Sequence, residues 1–172
     1  MGELVSLDSY RQALGPRRGC RKATSALEWY ERALAIESAD AAGAMAAYER
    51  AIAGRPDFAD AYNNLGRLHH DAGAARLAES LYRLAICAGG DGRGGAVFWF
   101  NLGVALEDQG RFAEAIAAYE EALARDGALA DAHYNLARQL ERAAGANELV
   151  LRRAVRHLSR YRELARHQPI FK

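Results

Sequence analysis

The chain has 172 residues, of which 51% are hydrophobic and 26% are charged, which is enough for one elongated helical domain. No run of residues approaches the roughly 20 apolar positions of a membrane-spanning helix, so we expect no membrane segment. Cys20 and Cys87 are too few for a disulfide framework, which favours a reducing, cytoplasmic location. Only Lys22 and Lys172 of the 23 basic residues are lysines, which indicates a genomic, bacterial-like bias in composition.

Residues 1–24 are predicted to form an N-terminal segment, with a short helix around DSYRQAL and a basic linker, GPRRGCRK. The segment lacks a basic stretch followed by an apolar one, so we do not expect a secretory signal. It carries five basic and two acidic residues, and residues 147–172 carry seven and two. The region between them carries eleven basic and eighteen acidic residues. Such basic ends could steer an acidic partner, although a charged run on a helix is more often a solvated face.

A fixed period runs through the rest of the chain. Tyr62, Trp99 and His133 are 37 and then 34 residues apart, and each is followed two residues later by an asparagine. The second half of the period repeats as well, and its alanines and tyrosines are Ala44, Tyr48 and Ala51, then Ala78, Tyr82 and Ala85, then Ala115, Tyr119 and Ala122. A fixed period in sequence predicts a repeated structural unit.

Each unit is predicted to contain two short helices. Apolar and small residues recur three and four positions apart, which is helical periodicity. Gly73 and Gly110 interrupt this pattern in the middle of the unit, where a tight turn is expected. Small residues such as Gly66 and Gly103 would let the two helices approach closely.

The unit at residues 96–129 has the clearest pattern, and its characteristic residues are Trp99, Leu102, Gly103, Gly110, Phe112, Ala115, Tyr119 and Ala122. With these residues at these offsets, the chain resembles the tetratricopeptide repeat over about residues 25–166. The resemblance implies an all-α, right-handed superhelical array of about three and a half to four helical pairs. The implied units span about residues 25–58, 59–95, 96–129 and 130–166, followed by a tail at 167–172.

The sequence departs from the repeat pattern at several places. Gly90 and Gly127 stand where the first unit has Pro56, and the loop AGGDGRGGA is three residues longer than the period requires. In the last unit, Ala137 replaces the glycine of the earlier units. The arginine-rich helix that follows it is expected to cap the array.

The recurring asparagines Asn64, Asn101 and Asn135 fall beside the stripe that is expected to face the partner helix. The resemblance implies that these first helices line a concave groove, where one amide per unit would form a ladder. A carboxamide offers a donor and an acceptor, so such a ladder can hold an extended chain by its backbone. The alternative is that each asparagine bonds to an adjacent helix or caps a neighbouring chain end.

Other polar and aromatic side chains are expected beside the ladder and would supply selectivity. They are Asn63, Arg67, His70, Asp71, Phe100, Glu107, Asp108, Tyr134, Arg138, Glu141 and Arg142. The mixed signs of their charges argue against a simple clamp for an acidic tail. The lysine-rich carboxylate clamp of chaperone-binding relatives is also missing, because Asn63, Phe100 and Tyr134 stand at the positions beside the ladder.

No enzyme, cofactor or metal site is expected. Gly90, Gly92 and Gly95 match a dinucleotide-binding pattern, but a helix rather than a strand precedes them. His69 and His70 would point about 100° apart on a helix, so they cannot share a metal ion. No acidic pair, Cys-His pair or Ser-His arrangement recurs at a catalytic spacing.

The sequence therefore predicts a non-catalytic protein-interaction scaffold that binds a peptide or protein segment in its concave groove. The alternative is a regulatory or oligomerisation module of a larger assembly whose basic termini contact nucleic acid. That alternative stands second, because no helix-turn-helix or other DNA-reading signature is present.

Overall fold

The computed structural model describes residues 24–89 and 93–167. These residues form eight α-helices, which are α1 (Ala26–Ile36), α2 (Ala41–Gly54), α3 (Ala59–Asp71), α4 (Ala75–Gly89), α5 (Arg93–Asp108), α6 (Phe112–Arg125), α7 (Ala130–Ala144) and α8 (Glu148–His167). Several predictions lie outside the described residues. They are the helix around DSYRQAL, the whole linker GPRRGCRK, residues 168–172 of the tail, and Gly90 and Gly92 of the dinucleotide-like pattern.

The helices pack as four consecutive pairs, α1 with α2, α3 with α4, α5 with α6 and α7 with α8. Each pair contacts the next through α2 and α3, α4 and α5, or α6 and α7, and α3 also contacts α5. The prediction of an all-α superhelical array is thus confirmed. The helix α5 begins at Arg93, three residues before the predicted unit boundary, and Ala96 and Phe98 are already buried in its first turns.

Glycines with positive φ end the first helix of three pairs. Gly73 (φ 79°) and Gly110 (φ 74°) lie at the two predicted turns. Gly145 (φ 51°) follows α7 in the same way, although the repeat pattern does not single it out. This backbone region favours glycine because a side chain there meets the following carbonyl.

The two helices of a pair approach closely where a glycine faces a tyrosine ring. A Cβ atom at Gly103 would lie 2.5 Å from Cε1 of Tyr119, and one at Gly66 would lie 2.8 Å from Cε1 of Tyr82. Both tyrosines are buried in the core. The period in the sequence therefore marks a real contact, in which the glycine leaves room for the ring.

Two general features concern the described part of the chain. None of its helices is both long enough and apolar enough to cross a membrane. Among the same residues, no three histidine, cysteine, aspartate or glutamate side chains lie close enough together to hold a metal ion.

Candidate peptide-binding groove

The first helices α3, α5 and α7 carry the predicted groove residues. Side-chain contacts join the first helices of consecutive pairs, and Glu37, which directly follows α1, supplies the contact at that end. The contacts are an ion pair between Arg67 and Glu37, a hydrogen bond from Nδ2 of Asn101 to Oδ1 of Asn63 at 2.8 Å, and an ion pair between Arg138 and Glu107. A row of polar groups therefore runs across the first helices from one end of the array to the other.

A network of five residues fixes the first of these junctions, between the first two helical pairs. The hydroxyl of Tyr48 donates to Oε2 of Glu37 at 2.7 Å and accepts from Nδ2 of Asn64 at 3.4 Å. Asn64 also donates to the hydroxyl of Tyr30 at 3.1 Å. Arg67, three residues after Asn64, completes the network through its ion pair with Glu37. The asparagine thus ties α3 to both helices of the preceding pair.

The same network recurs between the last two pairs. The hydroxyl of Tyr119 donates to Oε2 of Glu107 at 3.1 Å and accepts from Nδ2 of Asn135 at 3.5 Å. Arg138 again pairs with the glutamate. Burial raises the pKa of Tyr119, and the neighbouring Glu107 carboxylate raises it further, so the hydroxyl keeps its proton and donates it.

This chemistry fixes which way the amides point. A tyrosine hydroxyl has a single proton, and here the glutamate accepts it, so the tyrosine oxygen can only accept from Asn64 or Asn135. The amide nitrogen therefore faces the tyrosine, and the carbonyl oxygen Oδ1 points away. Oδ1 of Asn64 accepts from Asn63 at 3.2 Å, whereas Oδ1 of Asn101 and Oδ1 of Asn135 accept no hydrogen bond from any described residue.

The geometry bears on both interpretations of the recurring asparagines. All three amides donate to groups inside the array, as the local-bonding alternative expects. The acceptor oxygens of Asn101 and Asn135 nevertheless remain available to a ligand. The two interpretations are therefore compatible, because one end of the same amide can serve the fold while the other end serves a ligand.

The middle junction is less polar than the other two. In the first and last junctions a glutamate, Glu37 or Glu107, stands four residues after the alanine or glycine that faces the partner helix. In the middle junction His70 stands at this position. Val104 stands where the other junctions have an arginine, so His70 cannot form the equivalent ion pair. Nε2 of His70 instead lies 2.6 Å from Oδ2 of Asp108. With the half-buried Phe100 beside it, Val104 makes the centre of the groove the most apolar part of the row.

The remaining predicted residues are distributed unevenly. Asn63 is only 8% exposed, so it lies under the groove as a bridge rather than on its surface as expected. Asp71 pairs with Arg67 at 3.4 Å within α3. The guanidinium of Arg142 lies 4.3 Å from the centre of the Phe112 ring instead of meeting a groove carboxylate.

Two further predicted residues, Tyr134 and Glu141, line a cavity between α7 and α8 rather than the row of contacts between first helices. Tyr134 is 43% exposed, and its ring lies 5.2 Å from the ring of Tyr161, measured between centroids. Glu141 is exposed at the edge of the same cavity. The end of the array thus has a second surface, which shares Arg138 with the row of contacts between first helices.

A histidine pair, which the sequence reasoning missed, joins α7 to α8. Nδ1 of His133 lies 2.9 Å from Nδ1 of His157, and Nε2 of His133 lies 3.2 Å from the carbonyl oxygen of Gly127. Because a carbonyl only accepts, Nε2 of His133 carries the proton, and its Nδ1 accepts from His157. His157 stands where the earlier units have an alanine, but this replacement becomes visible only when the register of α8 is known.

This histidine pair should make the last helical pair sensitive to acid. Burial lowers the pKa of both histidines, and each has basic neighbours that lower it further. Because the folded pKa values lie below the ordinary value of about 6.5, the unfolded chain binds protons first as the pH falls. The contribution of the histidine pair to stability is therefore fully present above about pH 6.5 and decreases below it.

We expect a lower urea midpoint at pH 5 than at pH 7.5, with a smaller difference in His157→Ala, which restores the alanine of the other units. An equal loss of stability on acidification in both proteins would show that the histidine pair does not cause it.

Comparisons with known proteins agree with this architecture. A family model described as "Tetratricopeptide repeat" matches residues 96–127, and one described as "TPR repeat" matches residues 42–73. No curated protein sequence matches significantly. A crystal structure of MamA superposes with a TM-score of 0.72 at 16% identity, covering 92% of this chain and 86% of that one.

Two other solved structures are similar. MamA from Desulfovibrio magneticus RS-1 has a TM-score of 0.70 at 19% identity, covering 86% of this chain and 79% of its own. PilF from Pseudomonas aeruginosa has a TM-score of 0.73 at 16% identity, covering 83% of this chain and 62% of its own. At such low identities the likeness concerns the fold alone.

Proposed function

The chain is a tetratricopeptide repeat protein, and from this premise we propose that it is a non-catalytic scaffold that binds an extended segment of another protein along α1, α3, α5 and α7. The single observation that supports this most is the pair of open amide acceptors, Oδ1 of Asn101 and Oδ1 of Asn135, at equivalent positions of neighbouring units. Their amide nitrogens are held in place by the array, so the acceptors are oriented before any ligand arrives.

Donors accompany these acceptors. Arg138 lies three residues after Asn135, about one helical turn along α7, and its side chain is 45% exposed although it pairs with Glu107. Its five N–H groups exceed what one carboxylate can accept. An acceptor and a donor one turn apart match the N–H and C=O groups that an extended backbone presents in alternation. The groove would thus hold the backbone with little demand on side chains.

Selectivity would arise at the centre of the groove. Phe100 and Val104 form its most apolar part, and charged groups lie on either side, with Arg67 and Asp71 on α3 and Glu107 at the next junction. A segment with one apolar side chain between polar or charged residues fits this arrangement.

The proposal predicts that Asn101→Ala combined with Asn135→Ala weakens partner binding. Each lost hydrogen bond to a peptide backbone costs about 0.5–1.5 kcal/mol, so affinity should fall by about tenfold or more. A partner captured from the native lysate by the parent protein would be reduced to its bound segment, and titration calorimetry would give both affinities. Asn64→Ala is the matched control, because its Oδ1 is already satisfied by Asn63. It should lower the melting temperature and leave affinity nearly unchanged.

A loss of stability without a loss of affinity in the double variant would refute the groove proposal. If the double variant loses stability but binds its partner as tightly as the parent protein does, the asparagines serve only the fold.

We favour protein binding in the groove over the alternative in which the basic termini bind nucleic acid. Three arginines of α8, Arg152, Arg153 and Arg160, already form ion pairs with carboxylates. The salt dependence of binding distinguishes the two functions, because affinity for phosphate falls steeply with ionic strength and affinity for a groove-bound peptide falls less.

A cytoplasmic location is also part of the proposal.

A further inference from the structure

The last helical pair has an exposed apolar face. In each earlier pair, the next pair of the array covers the equivalent face. The helices α3, α5 and α7 pack against α2, α4 and α6, respectively. Within the described residues no helix packs against α8 in this way. Leu149 is 72% exposed and Val155 is 62% exposed as a result, and Leu151 is exposed as well.

A cavity in this face lies where the other units have a tyrosine. Ala154 stands at the position of Tyr119, and Ala137 stands at that of Gly103. With no ring between them, a cavity of about 240 Å³ opens, lined by Tyr134, Ala137, Arg138, Ala154 and Leu158, with Glu141 at its edge. The missing ring leaves space for an apolar side chain from outside the unit.

A carboxylate marks the edge of this face. Glu141 follows Ala137 by four residues, as Glu107 follows Gly103. At the earlier junction, Glu107 pairs with Arg138 from the next first helix. Glu141 is exposed, and no arginine from a following helix reaches it within the described residues. The last pair therefore keeps an acceptor for a basic side chain on a helix packed next to it.

We propose that the face between α7 and α8 docks one amphipathic helix of a partner protein, which carries a large apolar side chain for the cavity and an arginine for Glu141. The spacing follows from α7, where Asn135 reaches Tyr119 and Arg138, three residues later, reaches Glu107. A partner helix in the same position would place its apolar side chain where α7 has Asn135. The signature is thus a bulky apolar residue followed three positions later by arginine.

A second copy of this chain fits the face less well. The exposed helix at the other end of the array is α1, and its residue equivalent to Arg67 is Leu34, which directly follows Ala33 as Arg67 follows Gly66. Leu34 is 48% exposed. Stacking α1 on the last pair would place Glu141 against a leucine and leave the carboxylate without a partner, which is costly.

The test uses a peptide with the sequence of residues 128–144 that carries Asn135→Phe and is labelled for fluorescence polarisation. This peptide supplies both the apolar side chain and Arg138 in the register of α7. We expect saturable binding to the full chain and a loss of affinity of about tenfold or more with Glu141→Arg. A peptide that also carries Arg138→Glu should bind the Glu141→Arg protein better than it binds the parent protein. Circular dichroism of the variant checks that it remains folded.

Controls separate this site from the groove and from other occupants. The Asn101→Ala, Asn135→Ala protein should bind the peptide as the parent does, because neither asparagine lines the cavity. Absence of saturable binding, or equal binding by Glu141→Arg, would overturn the proposal. Binding that appears only after residues 1–23 are removed would assign the face to the chain's own N-terminal segment. Concentration-dependent chain growth that Leu34→Asp abolishes would assign it to a second copy.

Discussion

Replacing Gly103 with leucine should lower the free energy of unfolding by about 1–3 kcal/mol or more, because the core has no space for the side chain. Even the first added atom, a Cβ, would lie 2.5 Å from Cε1 and 2.7 Å from Cδ1 of Tyr119. The ring cannot move aside freely, since it is buried and its hydroxyl is held by Glu107 and Asn135. The substitution should therefore separate α5 from α6 and weaken the Tyr119 network.

Gly127→Ala is the matched control for this prediction. A Cβ at Gly127 has an ordinary contact of 3.7 Å as its nearest neighbour, so the variant should melt like the parent protein. Gly103→Ala should fall between the control and Gly103→Leu. Denaturant unfolding followed by circular dichroism measures all four proteins, and equal midpoints for Gly103→Leu and the parent would refute the proposed packing of glycine against tyrosine.

This contact explains why the sequence predicted the helical pairs. Gly66 precedes Tyr82 by 16 residues, and Gly103 precedes Tyr119 by the same number, with a turn glycine between them in each unit. Such a fixed separation has a physical cause, since the ring fills the space that the glycine leaves. The helical pairs and their packing could therefore be predicted from residue types and spacing alone.

The direction of the asparagine side chains could not be predicted in this way. The sequence gives their position on the helix, but the orientation of an amide depends on the groups that it meets. Asn64 is oriented by Tyr48, whose proton goes to Glu37 at the end of α1. Asn101 donates to Asn63 instead, in the junction where His70 and Val104 stand in place of the ion pair. These partners come from neighbouring units and become known only with the packing.

The features of the last unit were hidden for a different reason. The histidine and alanine that replace the usual residues of its second helix, His157 and Ala154, can be recognised only once the register of that helix is known. The stretch ANELVLRR obscures the register. The positive φ of Gly145 fixes it, because this glycine ends α7 as Gly110 ends α5. Both the histidine pair and the open cavity follow from that alignment.

Removing α8 by ending the chain after Gly145 should destabilise more of the array than the deleted segment itself. The buried side chains Leu136 and Leu140 of α7 share a core cluster with Ala154 of α8, and Val150 packs against that cluster. A repeat unit is stabilised by its own pairing and by its neighbours, so α7 without α8 would expose its apolar face to water. We expect α7 to lose structure as well and the truncated protein to aggregate.

Size-exclusion chromatography and the circular dichroism signal at the helical minimum test the truncation, and a protein ending at His167 serves as the control. If the shorter protein stays monomeric and loses only the helical signal of the 20 residues of α8, that helix is an appendage rather than a cap. If helicity falls further, α8 is part of the cooperative unit, although it leaves Leu149 and Val155 exposed. The helix would then stabilise α7 on one face and offer its other face to a partner.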